Sequence, residues 1–580
     1  MQKVFEYLKP YSVFVFIAAL LLVVEAICAL ALPALMADIV NDGVLPGNIP
    51  LIWQKGGIML LITLASVIAA LAMGYFGART AAGVANDLRE AVFKKILGFS
   101  NAEMDKFATS SLITRTTNDI TQIQSTMVMA IRQVIYAPII AIGGVINALD
   151  RSPSMTWIIA LVVLLMAGFM MIMLIVAMPK YRMIQTLIDR LNMVSRESLS
   201  GILVVRAFST QNFEKNRFEK ANKDLAQTNL FVDQAFAFMT PTINLLFSIT
   251  TITIVWIGAQ QASAFRVDIG DIFAFLQYGM LILSAFLMVS IMFVILPRAM
   301  VSAKRIQEIL ETENTIKYKE NPTKFPENLK GIVEFRNVSF RYPGVAESDG
   351  NMLENISFTA RPHETTAIIG STGAGKTTIF NLLLRFYDVT SGEILIDGIN
   401  IRDVAKEDLH EKIGYAAQKS LLFSGNIRSN LQYGDKNATQ QTIETSAEIA
   451  QAQEFISGKA EGYDFNIAQG GSNVSGGQRQ RLSIARALVK NAPIYLFDDS
   501  FSALDVKTDA QLRTALKKKT GKSTLLLVAQ RISSIMDADQ IIVLEHGKIA
   551  GLGTHKELIE TCKVYKEIAA SQLSEEEMKV

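Results

Sequence analysis

The residues Gly370-Ser371-Thr372-Gly373-Ala374-Gly375-Lys376-Thr377 form a glycine-rich phosphate loop pattern between a strand-like run, Thr366–Ile369, and a helix-like run, Thr377–Phe386. Glycines at such a turn let successive backbone N–H groups converge on phosphate oxygens. The helix that follows adds the positive end of its dipole. Lys376 is placed to reach the β- and γ-phosphates, the Thr377 hydroxyl to ligate Mg²⁺, and Thr378 to complete the cradle. Ile494–Asp498 is an apolar strand-like run ending in a carboxylate, and Asp498 would hold Mg²⁺ through water. Val474-Ser475-Gly476-Gly477-Gln478 precedes the amphipathic stretch Arg479–Lys490 and makes a second anion-binding helix start. One bound nucleotide needs only one such loop, so the second suggests closure over the γ-phosphate held by another subunit. ATP and Mg²⁺ are the cofactors this set of residues implies.

These loops must be carried by short buried strands alternating with helices. Apolar runs at Gly331–Phe340, Thr366–Ile369, Tyr495–Asp498, Leu525–Ala529 and Ile541–Leu544 supply them, which predicts an α/β domain over residues 331–580. A polar stretch with Pro322 and Pro326, residues 311–330, reads as a linker. Residues 1–310 are of another kind. The chain of 580 residues is 50% hydrophobic and only 19% charged, with a mean hydropathy of +0.29. Runs near 12–37, 56–78, 128–149, 155–178, 238–260 and 271–297 are each long enough to cross a bilayer and lack the polar stripe of a soluble helix. The long connections 79–127 and 179–237 are rich in Lys and Arg, among them Arg79, Arg89, Lys94, Lys95, Arg190, Arg196 and Arg206. The positive-inside rule puts both, with the N-terminus, in the cytoplasm. Six spans return the chain to the cytoplasm, where ATP is. The apolar stretch Tyr11–Leu35 is too long for a cleavable signal and reads as the first span.

Other classes fall away. A net charge of +2 gives no footprint for a nucleic-acid partner. Cys28 and Cys562 form no disulfide framework or zinc spacing, and His363, His410, His546 and His555 are isolated.

The phosphate loop, Val474–Gln478, Ile494–Asp498 and Ser502-Ala503-Leu504-Asp505, in this order along the cassette, resemble an ABC ATPase, with VSGGQ as its signature and SALD as its D-loop. Gln418 in Tyr415-Ala-Ala-Gln418 matches the Q-loop, which in that family touches Mg²⁺ and the membrane domain. Tyr342 in Phe340-Arg-Tyr-Pro343 matches the aromatic that stacks on adenine. Phe107–Asp119 is similar to the first intracellular loop of ABC exporters, and Gly201–Phe208 to the stretch around their second coupling helix. The resemblance covers nearly the whole chain. It implies a cell-membrane half-transporter, six transmembrane helices plus one P-loop cassette, working as a dimer with two ATP sites at the cassette interface.

Two positions depart from that pattern. The carboxylate after Asp498 is Asp499 where the family has Glu, and the residue after Leu525–Ala529 is Gln530 where the family has a switch histidine. Losing a methylene retracts the carboxylate by roughly 1.5 Å, one C–C bond, whereas a general base must reach hydrogen-bonding distance of its water. Gln donates one hydrogen bond but cannot become cationic. Lys376, Thr377, Asp498, Gln418 and the signature are intact. Binding groups kept beside altered chemical groups predict a degenerate-site subunit paired with a different half-transporter. A slow homodimer is the alternative. The expected cargo is an amphipathic small molecule, a drug or lipid; a peptide or lipid precursor is the alternative. An ATP-gated channel or receptor is the competing class.

Within the spans, Glu25 is an intramembrane carboxylate and by default functional. Two readings stand: contact with a cationic substrate, or pairing with a polar group across the bundle. Asp38 and Asp42, near the outer end of the first span, read as a solvated helix end or an acidic gate.

Overall fold

The computed structural model describes residues 2–502 and 504–573. The chain divides into two compact units: one of residues 1–97 and 109–312, the other of residues 98–108 and 313–580.

The first unit is helical. Its long helices are α1 (Ser12–Asp38), α2 (Ile49–Leu97), α4 (Ile120–Arg151), α5 (Thr156–Ser200), α7 (Gln211–Ser263) and α8 (Ile269–Glu311). Six candidate membrane spans lie on them among the described residues. An apolar environment offers backbone groups no water, and a helix satisfies them internally. Prolines nevertheless lie inside these helices, at Pro33, Pro138, Pro179, Pro241 and Pro297, and each removes one internal N–H donor. At 1.5 Å per residue the 49-residue α2 is roughly 70 Å long, well beyond a hydrocarbon layer of about 30 Å. The charged connections seen in the sequence are therefore continuations of the membrane helices. A short helix, α6 (Ile202–Ala207), joins α5 to α7 and buries no residue. Inside the unit, Leu30, Ala137, Ile140, Phe275, Tyr278 and Ile282 belong to one packed core. Gly143 lets α1 and α4 approach closely, since a Cβ there would lie 2.3 Å from Leu30 Cδ1.

The second unit is the cassette. Its main sheet has six strands in the order β10-β9-β3-β8-β7-β6. These are β3 (Thr365–Gly370), β6 (Ile413–Ala416), β7 (Ile494–Asp498), β8 (Thr524–Val528), β9 (Gln540–Glu545) and β10 (Lys548–Gly553). All pairs are parallel except β9–β10, with Leu525 opposite both Thr365 and Tyr495. β7 and β8 are buried at every residue, as a sheet covered on both faces requires. A second, antiparallel sheet has β1 (Val333–Phe340) between β2 (Leu353–Ala360) and β4 (Ser391–Ile396), with β5 (Ile399–Asn400) beyond β4. The two sheets meet in a core that includes Phe335, Phe340, Ile368, Phe380 and Leu496. Residues 98–108 join this unit through α3 (Asn101–Lys106), which begins in a capping box between Ser100 and Glu103.

A candidate ATP site and an intramembrane ion pair

The phosphate loop runs from the end of β3 to α9 (Lys376–Leu383). Gly375 has φ +98°, and a Cβ there would lie 2.5 Å from Leu353 Cδ2. At Gly370 a Cβ would lie 2.2 Å from the Leu544 carbonyl oxygen, so only glycine fits. Lys376 Nζ donates to the Gly370 and Ser371 carbonyls at 2.8 and 2.9 Å, so it curls over the loop it would serve. Burial lowers its pKa, while the nearby Asp499 and Asp498 oppose that shift.

β7 delivers Asp498 to the foot of α9, where Thr377 Oγ1 donates to Asp498 Oδ1 at 3.1 Å. Asp498 Oδ2 is buried without a hydrogen-bond partner. Burial pushes this carboxyl up to about 6, against the Thr377 bond and the charge of Lys376. A hydroxyl and an orphaned buried carboxylate oxygen form a hard-oxygen donor set that fits Mg²⁺. The loop amides and Lys376 fit the phosphates that would complete its shell.

Asp499, Gln530 and Gln418 are far apart in sequence but converge on one oxygen. Gln530 Nε2 donates to Asp499 Oδ2 at 2.7 Å, and Gln418 Nε2 lies 3.5 Å from the same atom. The Asp499 carbonyl accepts from Ser502 Oγ at 3.0 Å and Gln480 Nε2 at 3.3 Å. Its backbone is left-handed, φ +46°, a conformation that Asp adopts more readily than Glu. Burial also raises the Asp499 pKa, opposed by bonds from Gln418 and Ser502.

Tyr342 meets Phe340 and Tyr387 edge-on, and its hydroxyl shares a 2.9 Å hydrogen bond with Thr378 Oγ1. The Thr378 side chain therefore faces Tyr342 in the interior. Ser475 is the N-cap of α10 (Gly476–Val489): its Oγ accepts from Gln478 N at 3.2 Å, and Gln478 Oε1 accepts from Ser475 N at 3.0 Å. The signature is thus a rigid helix start. In the D-loop, Asp505 Oδ1 accepts from Thr508 N at 2.9 Å; Ala503 lies outside the described residues.

Two contacts escaped the sequence reading. Tyr387, whose ring touches Tyr342, donates to Asp105 of α3 at 2.5 Å. Gln572, just past α11 (Lys563–Ala570), brackets Gln530: its Oε1 accepts from Ile532 N at 2.8 Å and its Nε2 donates to the Gln530 carbonyl at 2.9 Å. Neither residue lies in a recognisable motif, and only folding brings them to the site.

In the helical unit, Arg132 Nη2 donates to Glu25 Oε1 at 3.1 Å. Of the two readings left open for Glu25, pairing across the helices is the one observed. Asp38 is no free acidic gate. It pairs with Arg151 at 2.9 Å and Lys55 at 3.0 Å, and Arg151 also holds Asp271 at 3.2 Å, so its charge is consumed in tying helix ends together.

The fold and the site define an ATP-binding cassette joined to a six-helix membrane unit. The "ABC transporter transmembrane region" family matches residues 15–287, and the "ABC transporter" family matches residues 353–502. An uncharacterised ABC transporter ATP-binding protein of Mycobacterium tuberculosis (strain CDC 1551 / Oshkosh) is 40% identical over 98% of this chain and 97% of its own length. An ATP-dependent lipid A-core flippase of Aromatoleum aromaticum is 32% identical over 87% of this chain and 82% of its own. The solved structure of a bacterial Atm1-family ABC exporter with ATP bound shares the fold, with a TM-score of 0.78 at 23% identity over 98% of this chain and 99% of that one. The chain belongs to the ABC transporter family and is a half-transporter of the cytoplasmic membrane, with its membrane and ATP-binding domains fused in the fold of an ABC exporter. Its cassette binds ATP, normally with Mg²⁺, and the family couples ATP hydrolysis to transport as dimers.

Proposed function

We propose that this chain is the degenerate-site half of a heterodimeric exporter that moves amphipathic small molecules, drugs or lipids, out across the membrane. The observation that carries the degenerate-site reading is the bond from Gln530 Nε2 to Asp499 Oδ2. The residue at the general-base position accepts a hydrogen bond from the residue at the switch position, and neither supplies cationic charge to a γ-phosphate. The carboxylate is also a methylene short of its water. Phosphoryl transfer depends on positioned charge, so ATP binds here and turns over slowly.

Each ATP in this family lies between one subunit's phosphate loop and the other's signature. The rigid Ser475–Gln478 cap serves a competent site whose Glu and His come from the partner. The partner's own signature faces the slow site. Residues 1–310 are the membrane domain in this reading, 311–330 the linker and 331–580 the cassette. Tyr342 stacks on adenine; residues 370–377 hold the phosphates, with Thr378 contributing its backbone N–H alone; Thr377, Gln418 and, through water, Asp498 hold Mg²⁺.

Two substitutions in the purified complex test the assignment. Ser475→Arg places bulk and charge where the competent γ-phosphate docks and should abolish ATPase activity. Lys376→Ala affects only the slow site and should leave more than about a tenth of turnover. Equal loss in both, or rapid transport-coupled hydrolysis by this chain alone, overturns the heterodimer.

A further inference from the structure

Asp499 sits in a left-handed turn, φ +46°, between two anchored peptides. On one side its own N–H donates to the Val528 carbonyl at the end of β8, at 3.0 Å. On the other its carbonyl accepts from Ser502 Oγ at 3.0 Å and from Gln480 Nε2 at 3.3 Å. The next residue, Ser500, donates from its hydroxyl to the Ala416 carbonyl at the end of β6, at 3.0 Å. A residue other than glycine stays in the left-handed region only where its surroundings over-determine it. Here the determinants come from β6, β8, the D-loop and α10. Fixing the peptides on both sides of the Asp499 Cα fixes its φ and ψ, and with them the direction of the carboxylate. Gln480 lies about a turn and a half past the Ser475 cap, on the helix whose start is the signature. It is 5% exposed. A buried amide is held to its hydrogen bonds, because losing one leaves a polar group with neither protein nor water to pair with.

We infer that Gln480 is a positioning residue for ATP cleavage: it holds the Asp499 peptide in its left-handed turn and so aims the carboxylate at the general-base position. The inference deepens the slow-site reading and rests on it for the role of Asp499. Gln480 acts through Asp499 and not on the nucleotide. Without its amide the Asp499 carbonyl can swing out, φ can relax to the ordinary negative region, and the carboxylate moves with it. Helix α10 thereby has a second role. Its start carries the signature, which in this family faces the nucleotide held by the other subunit. Its fifth residue sets the carboxylate of its own chain's site. A continuous stretch of helix joins the Ser475 cap to Gln480, so the signature and Asp499 are kept in register by one rigid element.

The test uses the purified full-length complex and two substitutions. Gln480→Met keeps the length and bulk of the side chain and donates nothing. Gln480→Asn keeps the amide but draws it back by one C–C bond, about 1.5 Å, out of reach of the carbonyl. Each should slow single-turnover cleavage of labelled ATP at this face by about fivefold or more, because a misplaced catalytic group loses rate steeply with distance. The affinity of a fluorescent ATP analogue for the same face should stay within about twofold of wild type, since the phosphate loop is untouched. Unchanged cleavage, or affinity that falls as far as cleavage does, overturns the proposal. Hydrogen exchange without nucleotide separates positioning from packing. The Asp499 amide should exchange severalfold faster in Gln480→Met than in wild type, while the amides of α10 keep their protection. Equal loosening along α10 would make Gln480 a packing residue and sink the inference. Asp499→Glu with Gln530→His supplies a second background. Glu tolerates a left-handed backbone less well than Asp, so Gln480→Met should cost at least as much there, and a smaller cost counts against the role. Rapid cleavage by the wild-type face would refute the slow-site reading, and the ratio of variant to wild type would still decide what Gln480 does.

Discussion

Asp499 joins three demands at one residue. Its backbone has φ +46°, its carbonyl is held by Ser502 and Gln480, and its carboxylate accepts from Gln530. Asp499→Glu with Gln530→His restores reach and a titratable donor together. Positioned acid–base groups contribute about 10²–10⁴-fold, and Glu is less at ease in a left-handed backbone, so a gain of roughly tenfold in single-turnover cleavage at this face is expected. No gain would place the lesion elsewhere, for instance in the signature facing this site. Asp498 gives a second test. Its carboxyl is raised to about 6, chiefly by burial. A raised carboxyl pKa stabilises the nucleotide-free fold at low pH, and that stability is lost as pH rises through about 6. Mg²⁺ binding needs the ionised form and so runs the other way. Between about pH 7.5 and about pH 5.5, Mg·ATP affinity should fall about fourfold through this group. Titration with a fluorescent ATP analogue measures it, and Asp498→Asn should erase that part of the pH dependence, leaving the part that belongs to ATP itself.

At the scale of elements, the switch loop is set from three sides. Gln530 reaches Asp499, Arg531 Nη2 donates to the Ser502 carbonyl at 3.1 Å, and Gln572 bonds the backbone on both sides of Arg531. The segment after α11 therefore clamps the loop that carries Gln530. Gln572→Ala removes both backbone bonds. The Ile532 amide should then exchange with deuterium at least severalfold faster, since its partner is gone. Gln572→Glu keeps the acceptor for Ile532 N and loses the donor to the Gln530 carbonyl, so it should protect Ile532 better than Ala does. Equal exchange in wild type and Gln572→Ala would show that the clamp does not hold the loop. A similar economy operates at α3, where the Glu103 carboxylate accepts from Ser100 and Thr315. Burial alone would raise its pKa, and these bonds bring it below the ordinary value. Helix α3 is thus fixed to the cassette by Glu103 at one point and by the Tyr387–Asp105 bond at another.

For the whole molecule, unpartnered apolar surface points to assembly. Leu203 is 76% exposed and Phe208 75% on and beside α6. These residues lie in a charged connection outside the apolar runs, so lipid does not account for their exposure. On the cassette, a groove of about 400 Å³ is lined by Leu421, Phe423, Tyr433 and Phe386 among others. Apolar patches of this kind mark surfaces that another protein covers. Phe208→Asp should therefore reduce recovery of the second half-transporter with this chain by about tenfold from its native membrane, while the chain itself remains membrane-inserted. Unchanged co-purification would mean that α6 does not carry the assembly.

The sequence by itself determined what depends on local chemistry. Six apolar runs specify six membrane helices because lipid leaves the backbone no other solution. The phosphate loop, Asp498 and the signature are legible because glycine spacing, a strand-end carboxylate and a capping box are short-range patterns. The strands β3, β7, β8 and β9 were readable as apolar runs because a parallel sheet buries both faces. β2 and β4 were not: β2 alternates between the core and the exterior, β4 is exposed over its first residues and buried only over its last three, and neither has a motif beside it. Only the tertiary structure decided which groups meet. It brought Gln530, Gln418 and Asp499 to one oxygen, put Gln572 on the switch loop and Asp105 on Tyr387, and gave Glu25 to Arg132, 107 residues away. A charge at one position in a sequence carries no record of its countercharge. The packing of α1 against α4 decides which countercharge a buried carboxylate meets.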